Sequence, residues 1–384
     1  MSRIDDEALK MPYIIFKRLK IPSRVSYNKS YWIGNKFFKY APDSYYRNAT
    51  GFIVGELYVS ELCKRIGVPC AEYKYAINRF KTFEQRGVLS KSFLAIGEKE
   101  ISILDMAYEK LFSKLPKDFL FKLEMIYSKM EPKRFFTEKK DINHMVTVLL
   151  DDKHPRRIRL LPIEKKFLAS HKPELEYIRE GTVLKNVITT NGCIRAICEY
   201  VSENGLCLEG DLRYSLQQIA IIDAITRQHD RHAGNISIIY NEKTGKARVA
   251  PLYDNGLCGP FYGRGKSFAF PQETLCYLKL MPKDYAEIAD ETTPIGMFYK
   301  KVKSLDKKDF DDIANYLKSI CGDPRLARSD FLTKRYGELY ECGIDDSIWN
   351  KTYLNYKQGI EYIDSNIEGF KQAAQQPSEF LATF

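Results

Sequence analysis

The strongest constraint on this chain is the stretch from Leu216 to Gly256. Leu216 to Arg227 carries Ile219, Ile222 and Ile225 at helical spacing, so it reads as a helix with one face in the core. It leads directly into the loop His229-Asp230-Arg231-His232-Ala233-Gly234-Asn235. Ile236 to Tyr240 then reads as a strand, Asn241 to Lys246 as a turn, and Ala247 to Leu252 as a returning strand, with Tyr253-Asp254-Asn255-Gly256 behind it. A hairpin that starts just beyond Asn235 and ends just before Asp254 brings those two side chains to the same end, where one cation can bridge them.

Taken singly, an aspartate in a loop is a turn cap and an aspartate after a strand is a terminator. Together, Asp230, Asn235 and Asp254 are the equipment of phosphoryl transfer. One carboxylate orients an attacking hydroxyl and accepts its proton, while an amide oxygen and a second carboxylate hold magnesium.

The chain has 384 residues, enough for two lobes. Residues 1 to about 105 read as a small α+β unit. Tyr13 to Phe16 is a short β-like run, and Tyr31-Trp32-Ile33 and Lys36 to Tyr40 flank the turn-prone pair Gly34-Asn35 as a hairpin. Ala49 to Ile66 is a helix with Phe52, Ile53, Leu57, Tyr58, Leu62 and Ile66 on its apolar side, ended by Gly67 and Pro69. Ala71 to Ile77 and Gly87 to Phe93 read as further strands. Lys39 lies in the second hairpin strand and Glu56 mid-helix, a pairing that adds to the phosphoryl-transfer reading; Lys36 and Glu61 are competing choices, and a surface lysine and a solvated glutamate are the plain alternatives.

The second unit, 106 to 384, is mainly helical: Ile101 to Phe112 leads into it, Asn186 to Glu203 contains a helix through Ile194, Ile197, Cys198 and Val201, and Pro294 to Val302, Lys307 to Cys321, Asp330 to Glu341 and Ile348 to Gln375 follow. About 114 to 185 reads as an insertion of short helices and loops, and Gly256 to Gln272 as a glycine- and aromatic-rich mobile loop.

The strings Asp230-Arg231-His232-Ala233-Gly234-Asn235 and Pro251-Leu252-Tyr253-Asp254-Asn255-Gly256 resemble the catalytic and metal-binding loops of the HipA-like serine/threonine kinases, including the CtkA-type kinases. The Asp-Arg-His spacing is similar to that of phosphoinositide 3- and 4-kinases, and Asp-Asn-Gly resembles type II phosphatidylinositol 4-kinases. A weaker resemblance covers residues 31 to 105, through Phe38-Lys39, the Glu56 helix and Leu89-Ser90-Lys91-Ser92-Phe93. The resemblance implies a bilobal protein-kinase-like α+β fold with ATP between the lobes and catalytic and metal loops at 228–256. It implies Asp230 as catalytic base, with Arg231 and His232 orienting the loop (His232 alternatively touching phosphate). It further implies Asn235 and Asp254 on magnesium, with manganese as an alternative ion, and Lys39 on the α- and β-phosphates with Glu56 holding it. Ser90 falls among the implied nucleotide contacts.

The nucleotide-covering stretch departs from the family, because Ile21 to Ser30 contains no glycine. Ser23, Ser26 and Asn28 are the side chains there that can contact phosphate in place of backbone N–H groups. Gly263-Arg264-Gly265-Lys266-Ser267 resembles the end of a P-loop, but Pro260 stands where that motif needs glycine. The expected function is an ATP- and magnesium-dependent serine/threonine protein kinase acting on a protein hydroxyl, and on itself with Ser267 as a candidate. The alternatives are a phosphatidylinositol kinase and a pseudokinase scaffold.

The net charge of +10 favours anionic partners, an acidic protein or anionic lipid, without the clustering expected for nucleic acid. No apolar run is long enough to span a bilayer, and Met1 to Glu7 does not resemble a Sec-type leader. With nine scattered cysteines and no CxxC pair, the expected compartment is the cytoplasm; export into a host cell by another route is compatible with the same features.

Overall fold

The computed structural model describes residues 13–16, 29–33, 36–40, 49–79, 84–113, 118–131, 142–183, 188–256, 258–259, 278–321 and 346–375. The fold is mixed α+β. Its first part is a five-stranded sheet with one helix: β1 (Tyr13–Phe16), β2 (Lys29–Ile33), β3 (Lys36–Tyr40), α1 (Ala49–Ile66), β4 (Tyr73–Arg79) and β5 (Glu84–Lys91). The strand order is β1-β4-β5-β3-β2, with β1 parallel to β4 and the other pairs antiparallel. Ile33 pairs with Lys36, the register expected of a two-residue connection. Lys39 pairs with Val88 and Phe37 with Ser90, so Lys39 and Ser90 share one face of the sheet.

Next come β6 (Lys99–Ser102), α2 (Ile103–Ser113), α3 (Phe119–Met130), α4 (Ile142–Leu150), α5 (Pro162–Ser170), α6 (Lys172–Val183), β7 (Ile188–Thr189), α7 (Thr190–Glu203), β8 (Cys207–Leu208) and α8 (Leu212–Thr226). They are followed by β9 (Ser237–Asn241), β10 (Lys246–Val249), β11 (Leu278–Lys279), α9 (Pro282–Ala289), α10 (Pro294–Lys303), α11 (Lys307–Cys321) and α12 (Asp346–Gln375). β9 and β10 form the expected hairpin. Gly245 takes a φ of 67° at its turn, and the Asn241 side chain accepts hydrogen bonds from the Lys243 and Thr244 N–H groups.

Three expectations change. Ile101 and Ser102 are not helical; they belong to β6, which extends the hairpin sheet by pairing with β9. The helix before the functional loop starts at Leu212, because the Asp211 side chain accepts from the Tyr214 N–H at 3.0 Å and caps it. The insertion is more regular than expected. Its four helices, α3 to α6, and α2 enclose their own core of Tyr108, Leu123, Met145, Leu149, Leu168 and Ile178. The expected helix at 330–341 and most of the 256–272 loop lie outside the described residues.

The larger core is continuous from Ile53 and Leu57 on α1 through α8 to Ile363 on α12. Gly359 lets α12 press against α8: a Cβ there would stand 2.5 Å from Ile225 Cα and 2.6 Å from Ala224 O. Backbone cannot yield to that extent without separating the helices. Gly359→Ala is therefore expected to destabilise the protein by about 1–3 kcal/mol despite the gain in helix propensity, read as a lowered thermal midpoint.

Candidate active site

The site begins where α8 stops. Arg227 takes the left-handed conformation at φ 50°, and the chain turns out of the helix. Gln228, 1% exposed, then braces the loop from within. Its Oε1 accepts from the backbone N–H groups of His229 at 2.9 Å and Asp230 at 3.2 Å. Its Nε2 donates to the Asp254 carbonyl at 3.5 Å, so one amide touches both loops.

Arg231 is fully buried and ties the loops together. Its Nε donates to both carboxylate oxygens of Asp223 at 3.1 Å, and its Nη2 to Asp223 Oδ1 at 3.1 Å and Asn255 Oδ1 at 2.6 Å. Its Nη1 reaches the carbonyls of Asn235 at 3.2 Å and Tyr253 at 2.8 Å. The backbone on either side of the hairpin is thus held by one guanidinium, whose rigid fork suits a multi-acceptor role. Tyr253 adds a second tie, its hydroxyl lying 2.6 Å from Ser237 Oγ and donating to the Gly234 carbonyl at 3.2 Å.

Lys39 Nζ donates to Glu56 Oε1 at 2.6 Å and forms an ion pair with Asp254. Glu56 is fully buried, and its second oxygen accepts from the Asn255 N–H at 2.8 Å. Burial works against the charge on Lys39, but the Asp254 and Glu56 carboxylates overcome it and hold the ammonium well above its usual range. Burial likewise opposes ionisation of Asp254, and the facing Lys39 outweighs it and lowers its pKa. Asp254 has a φ of 56°, a conformation that costs energy in a non-glycine residue and is held here by the surrounding contacts. Gly55 makes this approach sterically feasible, because a Cβ there would lie 2.9 Å from Gly256 O.

The Asn235 amide donates through Nδ2 to the Asp230 carbonyl at 2.8 Å, which orients Oδ1, the only atom of that amide able to ligate a cation. The Asp230 side chain is 40% exposed and lies 4.0 Å from His232 Nε2. His232 turns its other nitrogen, Nδ1, to accept from the Gly234 N–H at 3.0 Å, and its carbonyl accepts from the Asn235 N–H at 2.8 Å. Among the described residues, no group of three or more His, Cys, Asp or Glu side chains forms a cage for a metal. Magnesium seldom needs one, since it takes one or two protein oxygens and completes its shell with phosphate and water. Asp254 offers a carboxylate and Asn235 an amide oxygen, the donor types such a site uses.

His229 lies beside this network, and burial, with Arg227 adding to it, pushes its imidazole down to about 4. The unfolded chain then binds a proton that the folded one resists. The resulting penalty appears as pH falls below 6.5 and is complete below about 4. His229→Gln is expected to remove up to about 3 kcal/mol of this acid penalty, flattening the fall of thermal midpoint across that window relative to wild type.

The structure brings Lys39, Glu56 and Asp254 into contact and sets the Asp230–Asn235 loop beside them. Arg231, expected to orient the loop, is fully buried, paired with Asp223 and hydrogen-bonded to both loops. Ser90 is 6% exposed on the central strand β5. Ser23, Ser26, Asn28 and Ser267 lie outside the described residues. The competing choices are set apart: neither Lys36 nor Glu61 takes part in the Lys39–Glu56–Asp254 cluster. Sequence reasoning missed Asp223, Gln228, Tyr253 and Asn255 as supports. Asp223 had a readable signal, since a lone carboxylate among Ile219, Ile221, Ile222 and Ile225 needs a buried cation.

No protein-family model matches this chain, and no curated protein matches it. Among solved structures it is similar to the Helicobacter pylori proinflammatory kinase CtkA, at 14% identity and a TM-score of 0.36, over 87% of this chain and 91% of that one. It is also similar to HipA of Shewanella oneidensis MR-1, solved with HipB and operator DNA, at 11% identity and a TM-score of 0.31, over 86% of this chain and 58% of that one. Both superpositions are loose at these TM-scores, and neither bears on what the site does. No helix among the described residues is long and apolar enough to cross a membrane.

Proposed function

We propose that this protein is an ATP- and magnesium-dependent kinase that transfers the γ-phosphate to a serine or threonine hydroxyl of a protein. The observation that carries this reading is the buried Lys39–Glu56–Asp254 cluster, assembled from strand, helix and post-hairpin loop beside Asp230 and Asn235. The cluster joins a left-handed aspartate to a lysine 215 residues away, and strained backbone and perturbed buried charges of this kind cluster at functional sites.

In this reading Lys39, held by Glu56, meets the α- and β-phosphates, and Asp254 and Asn235 hold the ion. Bound magnesium supplies charge neutralisation on the phosphate oxygens. Asp230, exposed at its carboxylate and fixed at its backbone by Gln228, orients the acceptor hydroxyl and takes its proton as the oxygen attacks the γ-phosphorus and ADP departs. Arg231 keeps the two loops at a constant separation. Electrostatic preorganisation of this kind is the main source of rate in phosphoryl transfer.

The test is transfer of radiolabelled γ-phosphate with magnesium to the protein itself, to a generic protein and to phosphoinositide vesicles. Labelled phosphoserine or phosphothreonine supports the proposal. Label on lipid alone replaces it with a lipid kinase, and nucleotide binding without transfer replaces it with a pseudokinase.

A further inference from the structure

The helical insertion carries a feature that the candidate active site does not use. Between α4 and α5, a short 3-10 turn at Arg157–Arg159 and an extended Leu160–Leu161 segment lead into Pro162, the first residue of α5. Ile158, Leu161 and Ile163 stand out from it at 85%, 54% and 74% exposure. This is not a frayed loop. Leu160 and Leu168 anchor it in the insertion's own core, and Phe167 packs on Phe119 and His171 at 5.7 and 4.5 Å between ring centroids. Arg156 Nη1 donates to the Met130 carbonyl at 3.0 Å and Arg157 Nη1 to the Leu149 carbonyl at 2.7 Å, which ties the tip to α3 and α4. An anchored turn that holds three large aliphatic side chains in water within six residues is a candidate interaction surface.

The surrounding charge says what it meets. Lys153, Arg159, Lys165 and Lys166 are exposed around the tip. Three acids stand nearby: Glu164 pairs with Lys129 and accepts from the Leu161 N–H, Asp152 pairs with Arg157 at 2.7 Å, and the exposed Asp151 accepts from the Lys153 N–H at 2.9 Å, so basic side chains remain in excess. A protruding aliphatic wedge with a basic collar does not offer the recess that a peptide would fill. It suits a fluid interface that closes around the wedge while its phosphates meet the collar.

We propose that the Ile158–Ile163 tip inserts into the surface of an anionic bilayer and holds the protein there peripherally. The insertion thereby brings the protein to a membrane by a surface separate from the candidate active site. The membrane role does not depend on the kinase reading and is tested apart from it.

The experiment is co-sedimentation of the full chain with vesicles of phosphatidylcholine, with and without phosphatidylserine. Phosphatidylserine is not a substrate of a phosphoinositide kinase, so binding is separated from turnover. Wild type is expected to pellet with phosphatidylserine vesicles and to be released by salt. Ile158→Ser combined with Ile163→Ser, and separately Arg159→Ala with Lys165→Ala and Lys166→Ala, are expected to weaken binding by about tenfold or more. All five positions are exposed, so unchanged thermal midpoints are expected for both variants. Absence of binding, equal binding to phosphatidylcholine alone, or wild-type binding by either variant overturns the proposal. Retention on polyglutamate without vesicle binding also overturns it, in favour of an acidic protein.

Discussion

Asp254→Asn is expected to lower phosphate transfer by about 10²–10³-fold with the fold retained, the range seen when one preorganised charge contact is removed from an active site. Asparagine matches aspartate in size and tolerates the left-handed conformation that Asp254 adopts at φ 56°. The substitution thus removes the charge that pairs with Lys39 and would hold the cation while sparing the backbone. Asp230→Asn acts on the other half of the reaction. Its carboxylate is the exposed one, so its loss is expected to cost about 10²–10⁴-fold in the chemical step with little effect on thermal midpoint. The two variants are distinguishable: Asp254→Asn should also raise the magnesium concentration needed for half-maximal rate, and Asp230→Asn should not. Wild-type transfer by both variants would show that the site does not perform the proposed reaction.

Arg231→Leu is expected to be the most destabilising single change, at about 3–5 kcal/mol, because it leaves the buried Asp223 carboxylate without its cation. Burial already raises Asp223 above its usual range even with Arg231 opposing it. In the variant that pKa rises further. The penalty is then fully present above the new pKa and shrinks as pH falls toward the ordinary carboxylate range, so the gap to wild type narrows at acid pH. Asp223→Leu with Arg231→Leu should recover much of the stability, since replacing both partners of a buried pair is often near neutral. Transfer activity should stay low in the double variant. The Asn235 and Tyr253 carbonyls and the Asn255 side chain would still lack the donor that links the two loops. Recovery of both stability and activity would reduce Arg231 to a structural role unrelated to the reaction.

Much of the site was legible because it is local. The helix into Asp230, the hairpin that returns to Asp254, and the turn glycine at 245 are written in short-range periodicity and turn chemistry, which act over a few residues. The strand position of Lys39 and the mid-helix position of Glu56 were read in the same way. Where the reading failed, long-range pairing had overridden local pattern. Ile101 and Ser102 fit a helical spacing, yet they join β6 because Ile238 and Ser237 on β9 offer a ladder. The insertion read as short helices and loops, while its order comes from helices packing on one another.

The sequence by itself determined the chemistry available: which carboxylates, amide and lysine exist, and at which ends of which local elements they stand. Only the tertiary structure decided which of them meet. Lys39 takes Glu56 and Asp254 as partners, and Lys36 and Glu61 stay out of that cluster, because strand register and the glycine at position 55 set the approach. Arg231, the loop residue next to Asp230, is turned inward by Asp223, a carboxylate inside an apolar helix whose burial calls for a cation. The periodicity of the chain carries the elements. The cost of burying a charge selects their contacts, and that cost is set by the whole fold.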